Sequence, residues 1–579
     1  MHNEKVRKNR RIVSHLIRAT CFLAKQELAF RGHDESTLSL NKGNYIEFLN
    51  ELAEYDNELK AHLENSTVFT GLSSDIQNDI LFSLSDLLIR EVKKEISESP
   101  FVALILDETT DISVKSQLSS VLRYVTRNGD VEERFLKFVD VSDDRTANGL
   151  YQHAIQILED FKCVDKLVAQ TYDGAAVMAG EHGGLQTKLR AVCDQAIFVH
   201  CYAHKLNLVL SQSVSYIKQC KVFFISLTAF GSFFGKSTKR MQALDAEVKK
   251  RFPALAPTRW NYNSKLVETV NEHKENIADL LRAMIENADK WDSETLCSAR
   301  GLLSHLNDFD FNFFLVIFSY IFPHSDSIFQ ILQTKISDIN FCMKKIENFK
   351  TFLNDFRNDF DRVWGNVCSE CENTLPTAKR ARVDFSSGED RKVIYRRLFF
   401  QIVDAIIVHV NQRFSEVPKL KFVSLLDRKL FLQHSQNFPE EAFVSLKKNY
   451  GKFFDLPSLR SELYVLFTDS DMHKCTVSDF QLYLVASELS DVFPETLKLS
   501  KLILTMPATS ASAERSFSAL KRIKDYLRNS QRQERLSALA LLSIEKKLLQ
   551  KLRRGSSFND DVIDIFATKN RRIELKYKI

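Results

Sequence analysis

The stretch that decides the fold is FVALILDETTD, residues 101–111. Its first six residues, 101–106, are all apolar and include neither glycine nor proline. An apolar run this short favours a strand buried on both faces over a helix. The run is followed by Asp107, Glu108 and Asp111. The sequence therefore predicts either a core strand that presents carboxylates at its end, or a strand whose acidic residues simply turn the chain.

The composition around this stretch is that of a large globular chain. Its 579 residues are enough for about three to four domains. Hydrophobic residues make up 44% and charged residues 27%, a balance typical of folded chains. The 44 Phe and only 16 Gly favour a large helical core with few tight turns. The net charge of +5 is small, so any nucleic-acid contact must come from local clusters.

Segments for membrane insertion or export are not expected in this chain. The longest near-continuous apolar run, residues 313–322, is well under the ~20 residues of a membrane span. The basic N-terminus has no long apolar core behind it, as a secretory signal would. Ten Cys are scattered without a disulfide pattern, which favours a reducing compartment.

The order of predicted elements gives the fold class. Residues 1–98 are predicted to form a helical region, because their apolar residues recur at spacings of three and four residues. Asn128-Gly129 signals a hairpin turn between two further strands. The later elements are a helix over 147–161, a strand over 167–173, a helix over 185–193, a strand over 196–201 and a helix over 206–214. Three antiparallel strands followed by helix, strand, helix, strand, helix is the order of a ribonuclease-H-like domain.

Five ordered motifs carry a family resemblance. They are LDETTD (106–111), TYDGAAVMAG (171–180), HCYAHKLNL (200–208), PTRW (257–260) and PATSASAERSFS (507–518). Together they resemble the hAT transposase superfamily, and most closely a subgroup of transposon-derived proteins named zinc finger MYM-type protein 1-like. The resemblance runs from about residue 5 to residue 550. It implies an α/β ribonuclease-H-like core interrupted by a large all-α insertion, with an N-terminal helical region.

The resemblance also implies an acidic catalytic trio. Asp107 matches the first catalytic Asp of the family, Asp173 the second, and Glu514 the catalytic Glu. These three would also be the ligands of Mg²⁺ or Mn²⁺, hard cations that prefer carboxylate oxygen and water. Two such ions can activate an attacking hydroxyl and stabilise the leaving oxygen in phosphodiester transfer. Glu108 is given no metal, and Asp111 is expected to accept hydrogen bonds in its loop.

Two further residues are expected to support the acidic site. Cys201 and His204 match the C-x-x-H motif of the family. Two ligands cannot close a tetrahedral zinc site, which needs four. We therefore expect a buried Cys and an orienting His beside the carboxylates.

The expected DNA contacts are Arg259, Trp260, Lys521 and Arg522. The first two match an Arg-Trp pair that related transposases place near the DNA end, with the Trp stacked on a flipped base. A Trp after a Pro also fits a core anchor, and both readings stay open. Lys521 and Arg522 open a basic stretch over 521–535 that can neutralise phosphates, as can the basic residues within 5–11.

The resemblance divides the chain into five parts. They are the N-terminal helical region at 1–98, the first part of the core at 99–261, the all-α insertion at 262–500, the end of the core with the hAT C-terminal dimerisation region at 501–550, and a tail at 551–579. A homodimer or higher homo-oligomer is expected to form through 501–550, where an apolar face adjoins charged residues. The tail is expected to be loose.

Two features bear on location and target. The KRAR cluster at 379–382 can serve as a nuclear-localisation signal, so a nuclear protein is expected. Family members usually carry an N-terminal zinc finger of BED or related type. His2, His15 and Cys21, ahead of Leu23, do not make one. Either the finger was lost or this is a truncated product, and in both cases this chain is not expected to recognise transposon ends sequence-specifically.

Two functions follow from these expectations. The leading one is a hAT-type, transposase-like DNA-processing protein that cleaves and transfers DNA strands with Mg²⁺ or Mn²⁺ and dimerises through its C-terminal region. The alternative is a domesticated, catalytically silent nuclear protein that acts through dimerisation and through binding of DNA or protein.

Overall fold

The computed structural model describes residues 2–36, 38–253, 260–334, 338–370, 391–415, 417–468, 477, 481–483 and 489–578. The chain divides into two compact units. The first unit combines Met1–Cys201 with Lys421–Ile579, and the second unit is Tyr202–Leu420.

The first unit holds five strands and the helices at both ends of the chain. Before the second unit come α1 His2–Lys25, α2 Asn44–Ala53, α3 Asn57–Asn65, α4 Ser74–Glu98, β1 Val102–Thr110, β2 Ser116–Val125, β3 Val131–Asp140, α5 Ala147–Asp160, β4 Leu167–Tyr172, α6 Ala176–Ala179, α7 Leu185–Val192 and β5 Ile197–His200.

The second unit is helical throughout its described residues. Its helices are α8 Tyr202–Ser215, α9 Lys218–Gly235, α10 Thr238–Glu247, α11 Trp260–Glu272, α12 Lys274–Glu286, α13 Ser293–Leu306, α14 Phe309–Leu332, α15 Ile339–Arg357, α16 Phe360–Glu370 and α17 Arg391–Arg413.

The chain then returns to the first unit. The helices there are α18 Phe431–Gln436, α19 Glu440–Tyr450, α20 Leu456–Thr468, α21 Pro494–Thr505, α22 Ala511–Ile523, α23 Gln533–Ile544, α24 Lys546–Arg553 and α25 Phe558–Phe566.

The five strands form one mixed sheet in the order β3-β2-β1-β4-β5. The first three strands are antiparallel, and β1 pairs in parallel with β4, which pairs in parallel with β5. The predicted succession of three antiparallel strands followed by two more strands is therefore confirmed. Gly129 has φ +92 in the turn between β2 and β3, where the predicted hairpin lies. β1 is longer than its apolar run, because it continues through Asp107 to Thr110.

Helices from both ends of the chain build the core on the sheet. Buried residues of α1, α4, α22, α23 and α25 join those of the strands in one hydrophobic cluster. The expectation of a loose tail is wrong, because α25 lies in this cluster and its Val562 is fully buried. Arg10 of α1 pairs with Asp560 and with Asp564 of α25, each at 2.8 Å.

The second unit is shorter than the predicted insertion at 262–500. The residues from Lys421 onward belong to the sheet unit, where Tyr450 donates its hydroxyl to the carbonyl of Val168 at 2.9 Å. At the other boundary, α8 follows β5 almost directly and already belongs to the helical unit. Hydrophobic periodicity shows that a segment is helical, but it does not show which core the helix joins.

Helix α14 is the most apolar helix described. By length and composition alone it could cross a membrane. Its Phe313 and Phe318 are fully buried, and Phe313 meets Tyr395 of α17 edge to face at 4.8 Å between ring centres. These contacts are those of a central helix that is buried within its own unit.

Candidate functional site at the carboxyl edge of the sheet

Asp107 and Asp173 lie at the carboxyl ends of two neighbouring parallel strands. Asp107 is near the end of β1, and Asp173 directly follows β4. The two strands pair with Ile105 opposite Thr171. Continuing that register by two residues brings Asp173 beside Asp107, and the alternation of side chains puts both on one face. The structure therefore brings these two carboxylates to one edge of the sheet.

Helix α22 covers the same face of the sheet. Asp107 lies opposite Ser119 of β2, and directly opposed residues of antiparallel strands point to the same side. The Ser119 and Ser516 hydroxyls are 2.8 Å apart, which joins β2 to α22. Just before α22, the carbonyl of Pro507 accepts a hydrogen bond from the Thr171 hydroxyl at 3.1 Å. Two contacts thus fix this helix over the strands that carry the aspartates.

Glu514 lies in the first turn of α22 and is half-buried. Ser512, two residues earlier, donates its hydroxyl to Glu133 of the edge strand β3. Residues two apart project from nearly opposite sides of a helix. Glu514 therefore belongs to the helix that covers the face of the sheet holding Asp107, and its side chain projects from nearly the opposite side of that helix to Ser512 and Ser516.

Gly174 and Cys201 shape the backbone beside Asp173. A Cβ on Gly174 would lie 2.4 Å from the His200 ring, so glycine permits this close approach. The buried Cys201 thiol accepts the backbone N–H of Ser510 at 3.3 Å, which ties the start of α22 to the end of β5. The supporting role of Cys201 beside the acidic site stays a prediction. His204 lies in the first turn of α8, in the second unit.

The other two acidic residues of the opening stretch have different roles. Glu108 points to the opposite face of the sheet from Asp107 and pairs with Arg145 at 2.7 Å. Asp111 accepts two backbone N–H groups of its own turn, as expected, and pairs with Lys524 at 2.5 Å. Burial alone would raise the pKa of Asp111, but the Lys524 ammonium and the backbone donors hold it below its usual range.

The chemistry of the donors suits Mg²⁺ or Mn²⁺, but their arrangement does not make a metal cage. Asp and Glu carboxylates are the oxygen ligands that these cations prefer. Among the residues that the structure describes, however, no three His, Cys, Asp or Glu side chains are placed to hold a metal ion. The metal centre that the resemblance implies therefore stays a prediction.

Two of the predicted DNA contacts lie at the start of the basic stretch. Lys521 is exposed, and Arg522 forms an ion pair within the protein. The Arg522 guanidinium donates to the Glu27 carboxylate at 2.8 Å. Burial would raise the pKa of Glu27, but hydrogen bonds from Arg522 and Ser543 lower it. Glu27 thus fastens the end of α22 and helix α23 to the residues after α1.

Several cations of the two predicted basic clusters are paired within the fold. Lys524 is buried with Asp111, and Arg528 pairs with the neighbouring Asp525 at 2.6 Å. The Arg535 guanidinium lies 4.8 Å from the centre of the Phe30 ring. At the N-terminus, Arg10 is buried in its pairs with α25. Charge counting could not separate these structural cations from exposed ones.

Arg259 lies outside the described residues, and so does the side chain of Trp260, whose backbone begins α11. The predicted contact of this pair with a DNA end stays a prediction.

A buried charge network was missed by the sequence reasoning. Arg134 of β3 pairs with Glu545 at 3.2 Å and with Glu95 of α4 at 3.3 Å. Glu545, which follows α23, also accepts the backbone N–H of Phe135 at 2.8 Å. The only signal in the sequence is a Glu directly after the apolar run of α23. The network fastens the C-terminal helices to the edge strand of the sheet.

Two family models match the chain, one at each end of the first unit. The model described as ZMYM1/FAM200, RNase-like domain matches residues 1–184. The model described as hAT family C-terminal dimerisation region matches residues 462–548. The fold and these matches define the class: an RNase-like protein with a hAT dimerisation region. Both matches agree with the hAT resemblance of the five sequence motifs.

Curated relatives agree with this assignment. The chain is 22% identical to the "52 kDa repressor of the inhibitor of the protein kinase" of Homo sapiens, over 93% of this chain and 74% of that protein. The Mus musculus protein of the same name is also 22% identical, over 93% and 75%. A shorter match, 25% identical over 30% of this chain and 20% of the relative, is to the "General transcription factor II-I repeat domain-containing protein 2" of Bos taurus.

Proposed function

We propose that this chain is a self-associating, hAT-derived nuclear regulatory protein that keeps the RNase-like fold as a scaffold. The observation that carries the proposal is the match of residues 462–548 to the hAT dimerisation region. The names of two relatives, a repressor and a general transcription factor repeat protein, support a regulatory role in the nucleus.

The surface for self-association must differ from the apolar face that the sequence indicated. Within the expected region 501–550, Leu536, Leu541 and Leu542 of α23 are buried in the core of the first unit. An apolar face already covered by its own unit cannot bind a second copy without unfolding. Exposed residues of the matched region therefore supply the contact.

The test is the mass of the full chain in solution. Sedimentation velocity across a range of concentrations should show a dimer that dissociates on dilution. A monomer at every concentration would contradict the proposal. DNA contact is measured in parallel by the anisotropy of a labelled duplex. We expect weak binding with a shallow salt dependence, because most cations of the two predicted clusters are paired within the protein.

A second candidate is metal-dependent DNA strand cleavage and transfer. It is favoured by the register that brings Asp173 beside Asp107 and by the presence of Glu514 in the helix that covers that face of the sheet. Glu514→Gln preserves the size of the side chain and removes its charge. Glu108→Gln is the matched control, since Glu108 lies on the opposite face with Arg145.

The cleavage assay uses generic DNA ends with Mg²⁺ or Mn²⁺. If the second candidate holds, wild type and Glu108→Gln cut the DNA and Glu514→Gln does not. Equal cutting by all three would remove Glu514 from the site. If the wild type cuts DNA with neither metal, the second candidate is excluded and the scaffold function proposed first remains.

A further inference from the structure

The turn between β1 and β2 presents two apolar side chains to solvent. Ile112 is 55% exposed and Val114 is 83% exposed. Val114 has φ +61, a left-handed conformation in which a β-branched residue is an outlier. Strain of this kind persists only where the surroundings over-determine it, and it concentrates at functional positions.

Backbone hydrogen bonds and a buried ion pair hold this turn in its conformation. The backbone N–H of Asp111 donates to the carbonyl of Lys115 at 2.9 Å, and that of Val114 donates to the carbonyl of Asp111 at 3.0 Å. The Asp111 carboxylate then pairs with Lys524, and both side chains are almost fully buried. The turn is therefore held rigidly in the conformation that points Val114 outward.

A second exposed apolar pair lies alongside this turn. Tyr526 is 80% exposed and Leu527 is 86% exposed, in the segment between α22 and α23. The Lys524–Asp111 pair joins the two segments before these residues, and the Ser113 hydroxyl joins them again at the Asn529 carbonyl, 3.0 Å away. Ile112, Val114, Tyr526 and Leu527 are called the turn patch below.

The charges around the turn patch favour a protein partner over DNA. Lys115 pairs with Asp140 at 2.7 Å, and Lys524 is buried with Asp111. Arg528 is held by Asp525. A surface for nucleic acid needs cations that are free to neutralise phosphates, and these are already neutralised. Exposed apolar side chains with a Tyr among them are instead typical of the centre of a protein interface.

We propose that the turn patch is the centre of the surface through which two copies of this chain associate. Tyr526 and Leu527 lie inside the 462–548 match to the hAT dimerisation region, which argues for a second copy as the occupant. Ile112 and Val114 extend that surface onto the RNase-like part of the chain, 1–184. The proposal rests on the self-association proposed above and names the residues responsible for it.

The test compares two double variants of the full chain by sedimentation velocity. Tyr526→Ser/Leu527→Ser removes half of the turn patch. The matched control is Tyr55→Ser/Val68→Ser, at residues that are 90% and 68% exposed and lie outside the dimerisation match. We expect the dissociation constant of the dimer to rise by about 30-fold or more in the first variant and to stay unchanged in the control.

A single substitution separates the interface from folding. Val114→Gly removes an apolar side chain and permits φ +61 without strain. We expect the melting temperature of the dilute monomer to rise while the dimer weakens, a combination that general destabilisation cannot produce.

Three outcomes would overturn the proposal. A wild-type dimer that both double variants leave intact would move the interface elsewhere and leave the proposed function standing. Loss of duplex DNA binding in Tyr526→Ser/Leu527→Ser, with the dimer unchanged, would assign the turn patch to DNA. A wild type that is monomeric at every concentration would overturn both the proposed function and this surface.

Discussion

The carboxylates around β1 fall into two regions with opposite surroundings. At the carboxyl edge of the sheet, Asp173 accepts the backbone N–H of Ala175 at 3.2 Å. Within the described part of the chain, the Glu514 carboxylate has no ion pair or hydrogen bond. In the turn beyond β1, Asp111 is 1% exposed at its side chain and is matched by a buried lysine.

This difference separates acidic residues that hold the fold from those that are left available. A buried carboxylate with a matched cation fixes two segments, and its removal leaves an uncompensated charge. A half-buried carboxylate without a cation contributes little to stability, and its oxygens stay available to a ligand. Stability measurements on single variants can therefore test the comparison, from the buried pair to the unpaired Glu514.

The largest effect is expected at the buried pair. Lys524→Met keeps the length of the side chain but leaves the Asp111 carboxylate buried without its cation. We expect the free energy of unfolding to fall by about 3–5 kcal/mol. Urea denaturation followed by circular dichroism measures this loss, and Lys521→Met, an exposed lysine three residues earlier, should stay within about 0.5 kcal/mol of wild type. Equal, small losses of unfolding free energy in both variants would show that the buried pair contributes little to stability.

A smaller effect is expected at the exposed pair of Lys115 and Asp140. Burial would raise the pKa of Asp140, but the Lys115 ammonium and the Ser142 donors lower it to about 2. A carboxyl pKa lowered by folding stabilises the protein above the unfolded value of about 3.9, and this stability is lost as the pH falls through about 2. Because the lysine is more than half exposed, the contribution is at most about 1 kcal/mol.

Unfolding of Asp140→Asn and wild type across pH 6 to 2 measures this contribution. The variant should be less stable near pH 6, and the two curves should converge toward pH 2. Asp143→Asn, at an exposed neighbour, is the control and should follow wild type throughout. If the difference in stability between variant and wild type grows as the pH falls, its pH dependence is opposite to that of the ion pair. The ion pair would then be excluded as its cause.

The sequence predicted the sheet well because the signals for strands are local. The apolar run before Asp107 and the Asn-Gly turn before β3 each report on a few neighbouring residues. The placement of Asp107 and Asp173 at one edge follows from that order. The pair of Asp111 and Lys524 joins segments from opposite ends of the chain, and no local pattern could reveal it.

Two other expectations also depend on contacts that the local sequence does not show. The apolar residues of α23 looked like an interface, since periodicity does not distinguish a helix buried in its own unit from one that binds a partner. The basic stretch over 521–535 looked like a DNA surface, but the acidic partner of Arg522, Glu27, comes from the far end of the chain. Glu514 was placed through the family motif, and the composition of α22 alone would not have singled it out.

The smallest effect is expected at Glu514 itself. Glu514→Gln removes a charge that has no cation partner among the described residues, and the amide fills nearly the same volume in the first turn of α22. A carboxylate in the first turn gains a few tenths of a kcal/mol from the helix dipole, so we expect a loss of about 0.5 kcal/mol or less. Urea denaturation of wild type and variant under identical conditions measures this loss. Glu133→Gln is the contrasting variant, because Glu133 is buried with Arg123 at 2.6 Å.

A loss at Glu514 as large as that at Glu133 would show that the Glu514 carboxylate holds the fold. It would then belong with Asp111, and the division between structural and available carboxylates would fail at the residue on which the catalytic candidate depends.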